Sequence, residues 1–186
     1  MFNISKNKCV GCELCRNICP EIIELVDGVA VIKEQNEECL SKAVKVCPQR
    51  AIKEINQDLV FAIGTDDNEK IKSDDHVGMS NYFQIWRYSQ GELSFQEKRE
   101  NVKYKEDETR IHGDPGKAEA TASALKGVDV LVGKMMGPNI VRLSSKFVPV
   151  ITREPEIKKS VEMIKTNINE IVEEYEKEER HGIILN

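Results

Sequence analysis

All six cysteines of this 186-residue chain fall within its first 47 residues, and four of them stand in Cys9-Val10-Gly11-Cys12-Glu13-Leu14-Cys15-Arg16-Asn17-Ile18-Cys19-Pro20. The C-x2-C-x2-C-x3-C-P spacing limits the fold more than any other stretch. Three thiolates, each separated by two residues on a tight loop, reach three corners of one cubane iron–sulfur cluster, and loop N–H groups turn toward its sulfides. Two plainer readings compete: four buried cysteines, and a zinc site. Zinc sites favour two separated Cys pairs, so the cluster is the stronger reading. In runs of this type the fourth Cys serves another cluster, so a fourth thiolate has to come from elsewhere.

It lies downstream at Cys47-Pro48. A second copy of the run would place cysteines at 37, 40, 43 and 47, where the chain has Glu37, Leu40, Ala43 and Cys47, with one extra thiol out of phase at Cys39. The pattern resembles single-cluster bacterial-type ferredoxins, in which the second site has become a helix. The resemblance implies one [4Fe–4S] cluster held by Cys9, Cys12, Cys15 and Cys47. It also implies that Cys19 and Cys39 lie close enough to bridge, as a disulfide or as a pair of thiols, because in that family the left-over Cys of the run pairs with a Cys eight residues before the second C-P.

Residues 1–57 read as an α+β ferredoxin domain. Met1–Ser5 is a strand whose partner is Ala51–Ile55, and Asp27-Gly28 turns Glu21–Val26 into Val29–Lys33 as a hairpin. Glu37–Val46 is a short helix with apolar Leu40, Ala43, Val44 and Val46. A core this small needs staples, which the cluster and the disulfide would supply.

Residues 58–153 read as a second, α/β domain with a mixed sheet. Leu59–Ile63 is a strand, Tyr82–Tyr88 and Leu93–Lys98 form a hairpin, and 100–112 is a charged loop. Asp114-Pro115 starts a helix over Gly116–Lys126 that Gly127 stops. Val128–Val132, a helix over Pro138–Lys146, and Phe147–Ile151 complete βαβ crossovers. In the tail, 154–186, the apolar residues Ile157, Val161, Ile164, Ile168, Ile171 and Tyr175 are spaced 4, 3, 4, 3 and 4, the pattern of one long helix ending near His181-Gly182. Its stripe packs on its own sheet or forms a homodimer seam.

Four stretches of 59–152 are similar to the dinitrogenase iron–molybdenum cofactor biosynthesis family: Val60-Phe61-Ala62-Ile63-Gly64-Thr65-Asp66-Asp67, His76-Val77-Gly78-Met79-Ser80-Asn81-Tyr82-Phe83, Gly127-Val128-Asp129-Val130-Leu131-Val132-Gly133, and Met136-Gly137-Pro138-Asn139. The resemblance implies a ribonuclease-H-like fold and a role in carrying or inserting metal clusters. Val77 stands where the family has Phe, Lys134 where it has a small residue, and the 99–113 loop is longer. With no cysteine here, the soft or borderline groups for a transiently bound second metallocluster are His76, His112, Met79, Met135 and Met136. His76 leads, and it should face a concavity bounded by Gly64–Asp67, Gly78–Asn81 and Gly133–Asn139. Backbone N–H groups near Gly137 and Asn139 suit an anionic cargo. The ordinary alternatives are a surface histidine, core methionines and unremarkable turns.

Charge narrows the function. The formal net charge is −5, divided as 0, −1 and −4 over 1–57, 58–153 and 154–186. No basic stripe exists to bind nucleic acid. No apolar run reaches the ~20 residues of a membrane span, so a cytoplasmic protein is expected. Asp66, Asp67, Asp74 and Asp75 are explained by turn chemistry, which argues against a nuclease, and no enzymatic activity is expected. The leading expectation is an electron-transfer protein whose second domain binds or docks a metallocluster during cofactor assembly, with redox proteins and assembly proteins as partners. The alternative is a plain ferredoxin whose second domain only selects the redox partner.

Overall fold

A computed structural model of the chain describes residues 1–101, 123–137 and 140–185. In the N-terminal part, Phe2–Ile4 (β1) pairs antiparallel with Ile52–Glu54 (β4), Ile4 opposite Ile52. Between them come Leu14–Ile18 (α1), the hairpin Ile23–Val26 (β2) and Val29–Ile32 (β3), and Glu37–Val46 (α2). Asp27 and Gly28 have φ of 50° and 80°, the double left-handed turn that matches the twist of the flanking strands. Asn36 caps α2 by accepting the Cys39 N–H at 3.0 Å, and Glu37 and Glu38 face the positive end of the helix. Leu40 and Ala43, where ligands of a second cluster would stand, are fully buried with Phe2, Ile23 and Ile52.

The second part is one six-stranded mixed sheet. Leu59–Thr65 (β5), Tyr82–Ser89 (β6) and Glu92–Glu100 (β7) run antiparallel, while β5, Val130–Gly133 (β8), Val148–Thr152 (β9) and Ile183–Leu185 (β10) run parallel, in the order β10-β9-β8-β5-β6-β7. Period-two alternation sends Phe61, Ile63, Val130, Val132, Val148 and Val150 to one face. Ala62, Phe83, Ile85 and Leu131 point to the other, against Leu125, Val128 and Phe147. A short helix, Ile140–Leu143 (α3), joins β8 to β9. Ser123 and Ala124 are helical before Gly127 turns at φ 78°; the rest of the helix expected over Gly116–Lys126, and the loop expected over 100–112 beyond Asn101, lie outside the described residues.

The tail departs from the expectation of one long helix. It forms Ile157–Thr166 (α4) and Ile168–Tyr175 (α5), broken at Asn167, whose Nδ2 donates to the Met163 carbonyl at 2.7 Å. A side chain that bonds local backbone competes with the helix ladder. Nor does the chain stop at His181-Gly182: Gly182 (φ 87°) leads into β10, which adds a parallel sixth strand. Ile157, Val161, Ile164, Ile168 and Ile171 are buried against the chain's own sheet, so this stripe is not an open seam.

The opposite side of α5 is also covered. Asn169 is 1% exposed and donates to the carbonyls of Asn3 and Ala51, both at 3.3 Å. Glu170 accepts from the Ser5 hydroxyl, Glu173 pairs with Lys8 at 2.6 Å, and Glu176 with Lys53 at 2.8 Å. Helix α5 therefore lies between the two domains, its apolar face in one and its polar face on the other. No helix among the described residues is long and apolar enough to cross a membrane.

Candidate metal centre

Cys9, Cys12, Cys15 and Cys47 are the free cysteines, and all four line one cavity with Ile4, Gly11, Ala30 and Ile52. The loop reaches around this cavity because two residues take left-handed backbone, Gly11 (φ 66°) and Glu13 (φ 63°). At Gly11 the requirement is also steric: a Cβ there would run into the Gly28 carbonyl oxygen of the β2–β3 turn. Cys47 arrives from the C-terminal end of α2, so the fourth thiol depends on the helix that occupies the vacated second site.

The sulfurs are met by amide donors. The Ala30 N–H donates to Cys9 Sγ at 3.4 Å, and the Ala51 N–H to Cys47 Sγ at 3.3 Å. Burial pushes the Cys15 thiol up, and the proximity of Cys9 and Cys47 pushes the same way, against backbone hydrogen bonds that lower it. A cluster held in this cavity would supply the positive charge that favours the Cys15 thiolate. A zinc ion needs sulfurs about 2.3 Å from one point. The four thiols come from a three-cysteine loop and one remote segment, and not from the two separated Cys pairs that zinc sites favour. The cover is thinnest at Cys12 and Val10, both exposed. Cys19 and Cys39 are joined by a disulfide, with Cα atoms 5.9 Å apart.

In the second domain the three glycine-bearing loops meet at the carboxyl ends of β5 and β8, but their meeting point holds Val77. A Cβ at Gly133 would come within 2.7 Å of Val77 Cβ, and one at Gly64 within 2.7 Å of Val77 Cγ2. The Val77 N–H donates to the Met135 carbonyl at 2.9 Å, fixing the 3-10 turn Val77–Met79 over both strands. His76 sits to the side, half-buried, its ring about 3.3 Å from where a Gly137 Cβ would lie. Its Nδ1 is buried with no hydrogen-bond partner among the described residues. Met79 and Met135 are exposed and Met136 packs against the core; His112 and Asn139 lie outside the described residues.

The four loop carboxylates serve their own loops. Asp66 pairs with the nearly buried Lys72 at 2.6 Å and accepts the Asn81 N–H at 2.7 Å, while Asp74 meets Lys72 at 2.9 Å. Asp67 accepts the Glu69 and Lys70 N–H groups, which hold its carboxyl below the usual range, and Asp75 accepts the His76 N–H. Sequence reasoning missed Lys72 as the residue that gathers this loop. Acids flank both Lys70 and Lys72 between Asp66 and Asp74, so the sequence does not single out Lys72.

Comparison with known proteins follows the division in the fold. The model of the 4Fe-4S single cluster domain of Ferredoxin I matches residues 4–54. A ferredoxin of Thermococcus litoralis is 36% identical over 53 residues, 27% of this chain and 90% of that protein. The dinitrogenase iron-molybdenum cofactor model matches residues 57–178, more than half of the chain. The chain thus belongs to the dinitrogenase iron-molybdenum cofactor family and carries a 4Fe-4S single-cluster ferredoxin domain in front of it.

Proposed function

We propose that the chain is a one-electron carrier that holds a single [4Fe–4S] cluster through Cys9, Cys12, Cys15 and Cys47. Its second domain, ribonuclease-H-like in this reading, docks a second metallocluster, or the protein handling one, during cofactor assembly in the cytoplasm. The observation that carries this is the convergence of four free cysteines from two separated segments on one amide-lined cavity. A cluster there supplies electron transfer without bond making. The residues do the rest: Ala30 and Ala51 direct N–H groups at sulfur, Ile4 and Ile52 exclude water, and the exposed Cys12 edge is where a partner protein exchanges the electron. Tethering the carrier to the docking domain raises the effective concentration of one at the other.

Anaerobic reconstitution of the full chain, with metal analysis and EPR, tests the reading. About four iron atoms per chain are expected, and Cys47→Ala should lose iron or fall to a three-iron form. Iron near eight per chain, or full loading of Cys47→Ala, overturns the ligand set. For the second domain, His76→Ala should abolish retention of an added metallocluster and leave the ferredoxin spectrum unchanged. Val77 at the loop junction favours a second reading, in which this surface recognises a partner protein. Equal retention by His76→Ala removes His76 from cluster binding, and no retention by the wild-type chain decides for the second reading.

A further inference from the structure

Two residues bonded to the proposed ligand cysteines are themselves gripped by helix α5 of the other domain. Ala51 donates its N–H to Cys47 Sγ, and its carbonyl accepts from Asn169 Nδ2 at 3.3 Å and from the Ser5 N–H at 2.8 Å. Ser5 is fully buried: its carbonyl accepts the Cys9 N–H at 3.0 Å, and its hydroxyl donates to Glu170. Asn169 and Glu170 are adjacent on α5, whose other face, with Ile168, Ile171 and Val172, is fully buried in the second domain's core. Asn169 is itself 1% exposed, with its Oδ1 unpartnered among the described residues. The site keeps a polar side chain at a buried position where it satisfies carbonyls of the other domain, at the cost of one unmade hydrogen bond.

The structure assigns to Asn169 the role of a positioning residue for the iron–sulfur cluster, supplied across the domain boundary. By holding the Ala51 carbonyl, it fixes the orientation of the residue whose N–H meets Cys47. Amide hydrogen bonds to the sulfurs favour the more negative, reduced form and so raise the reduction potential. Loosening Ala51 should therefore lower the potential. Because α5 is part of the second domain's core, any ligand there that shifts α5 changes the electron affinity of the first domain, and reduction changes that ligand's affinity by the same factor. This rests on the ligand set proposed above.

The test uses the full chain with Asn169→Leu, which keeps volume and removes the donor. Gln57→Ala is the control: it removes a hydrogen bond to Glu176 on the same face but touches neither Ser5 nor Ala51. Expected for Asn169→Leu are wild-type iron content and EPR signal, a potential lowered by up to tenfold in the one-electron equilibrium, about 59 mV, and faster hydrogen exchange at the Ala51 amide. The exchange is read on the metal-free chain as well. Gln57→Ala should move neither. If Asn169→Leu does not load iron, Asn169→Ala is measured in its place. An unchanged potential and unchanged Ala51 exchange in a loaded variant overturn the inference, as does an equal shift in Gln57→Ala. Failure of the wild type to bind four irons overturns the ligand set instead.

Discussion

Gly11 and Gly28 offer a matched pair for measuring what shapes the cluster loop. Both have left-handed backbone, φ 66° and 80°, so alanine at either carries the same conformational cost of about 1–2 kcal/mol. They differ in what the new methyl meets. At Gly28 nothing lies within 4 Å, whereas at Gly11 the methyl overlaps the Gly28 carbonyl oxygen. A backbone carbonyl in a two-residue hairpin turn cannot move aside as a flexible side chain does, so Gly11→Ala carries a further overpacking cost of about 1–3 kcal/mol. Gly28→Ala is therefore expected to lose about 1–2 kcal/mol and Gly11→Ala about 2–5 kcal/mol. Guanidinium denaturation of the loaded chain under anaerobic conditions reads the difference, followed by bleaching of the cluster absorbance and by circular dichroism. Iron loss to a chelator should accelerate in Gly11→Ala alone, because the displaced loop lies between Cys9 and Cys12. Equal losses in the two variants would refute the idea that the hairpin carbonyl sets the loop's path.

The disulfide closes a loop of 20 residues, so Cys39→Ser should cost about 3 kcal/mol in the chain-entropy model, measured by anaerobic denaturation; a change under about 0.5 kcal/mol would contradict it. Burial alone would push the Glu174 carboxyl up, but Lys177 and the His181 and Gly182 N–H groups hold it below the ordinary glutamate value of 4.5. Its stabilising contribution is therefore complete above that value and lost as pH falls through the lowered folded one. Glu174→Gln should cost about 1–3 kcal/mol at pH 7 and flatten the acid limb of a stability–pH profile; an unaltered limb would show that the carboxylate does not hold β10.

Much of the first domain is legible in the sequence because its signals are local. The cysteine spacing and the Asp27-Gly28 turn each act within a few residues, and α2 forms over the expected Glu37–Val46. The tail is different. Ile164 and Ile168 are four apart, so apolar periodicity runs straight through the break at Asn167; only the residue's affinity for local backbone marks it. No local pattern reveals the partners of α5's charged side, because Ser5, Lys8 and Lys53 lie over a hundred positions away. At the second-domain loops, periodicity places the strands, but which side chain fills the junction is settled by the two glycines that admit Val77.

The grip of α5 on the first domain also orders events during synthesis. Ala51 and Asn169 are 118 residues apart, so at about 5–20 residues per second the ribosome makes the cysteine-bearing segment roughly ten seconds before the helix that covers it. In that interval Ser5 and the Ala51 carbonyl face water, and the cysteine loop stands on an unfinished foundation. Iron delivered in that interval would meet Ser5 and Ala51 without their hydrogen bonds to α5.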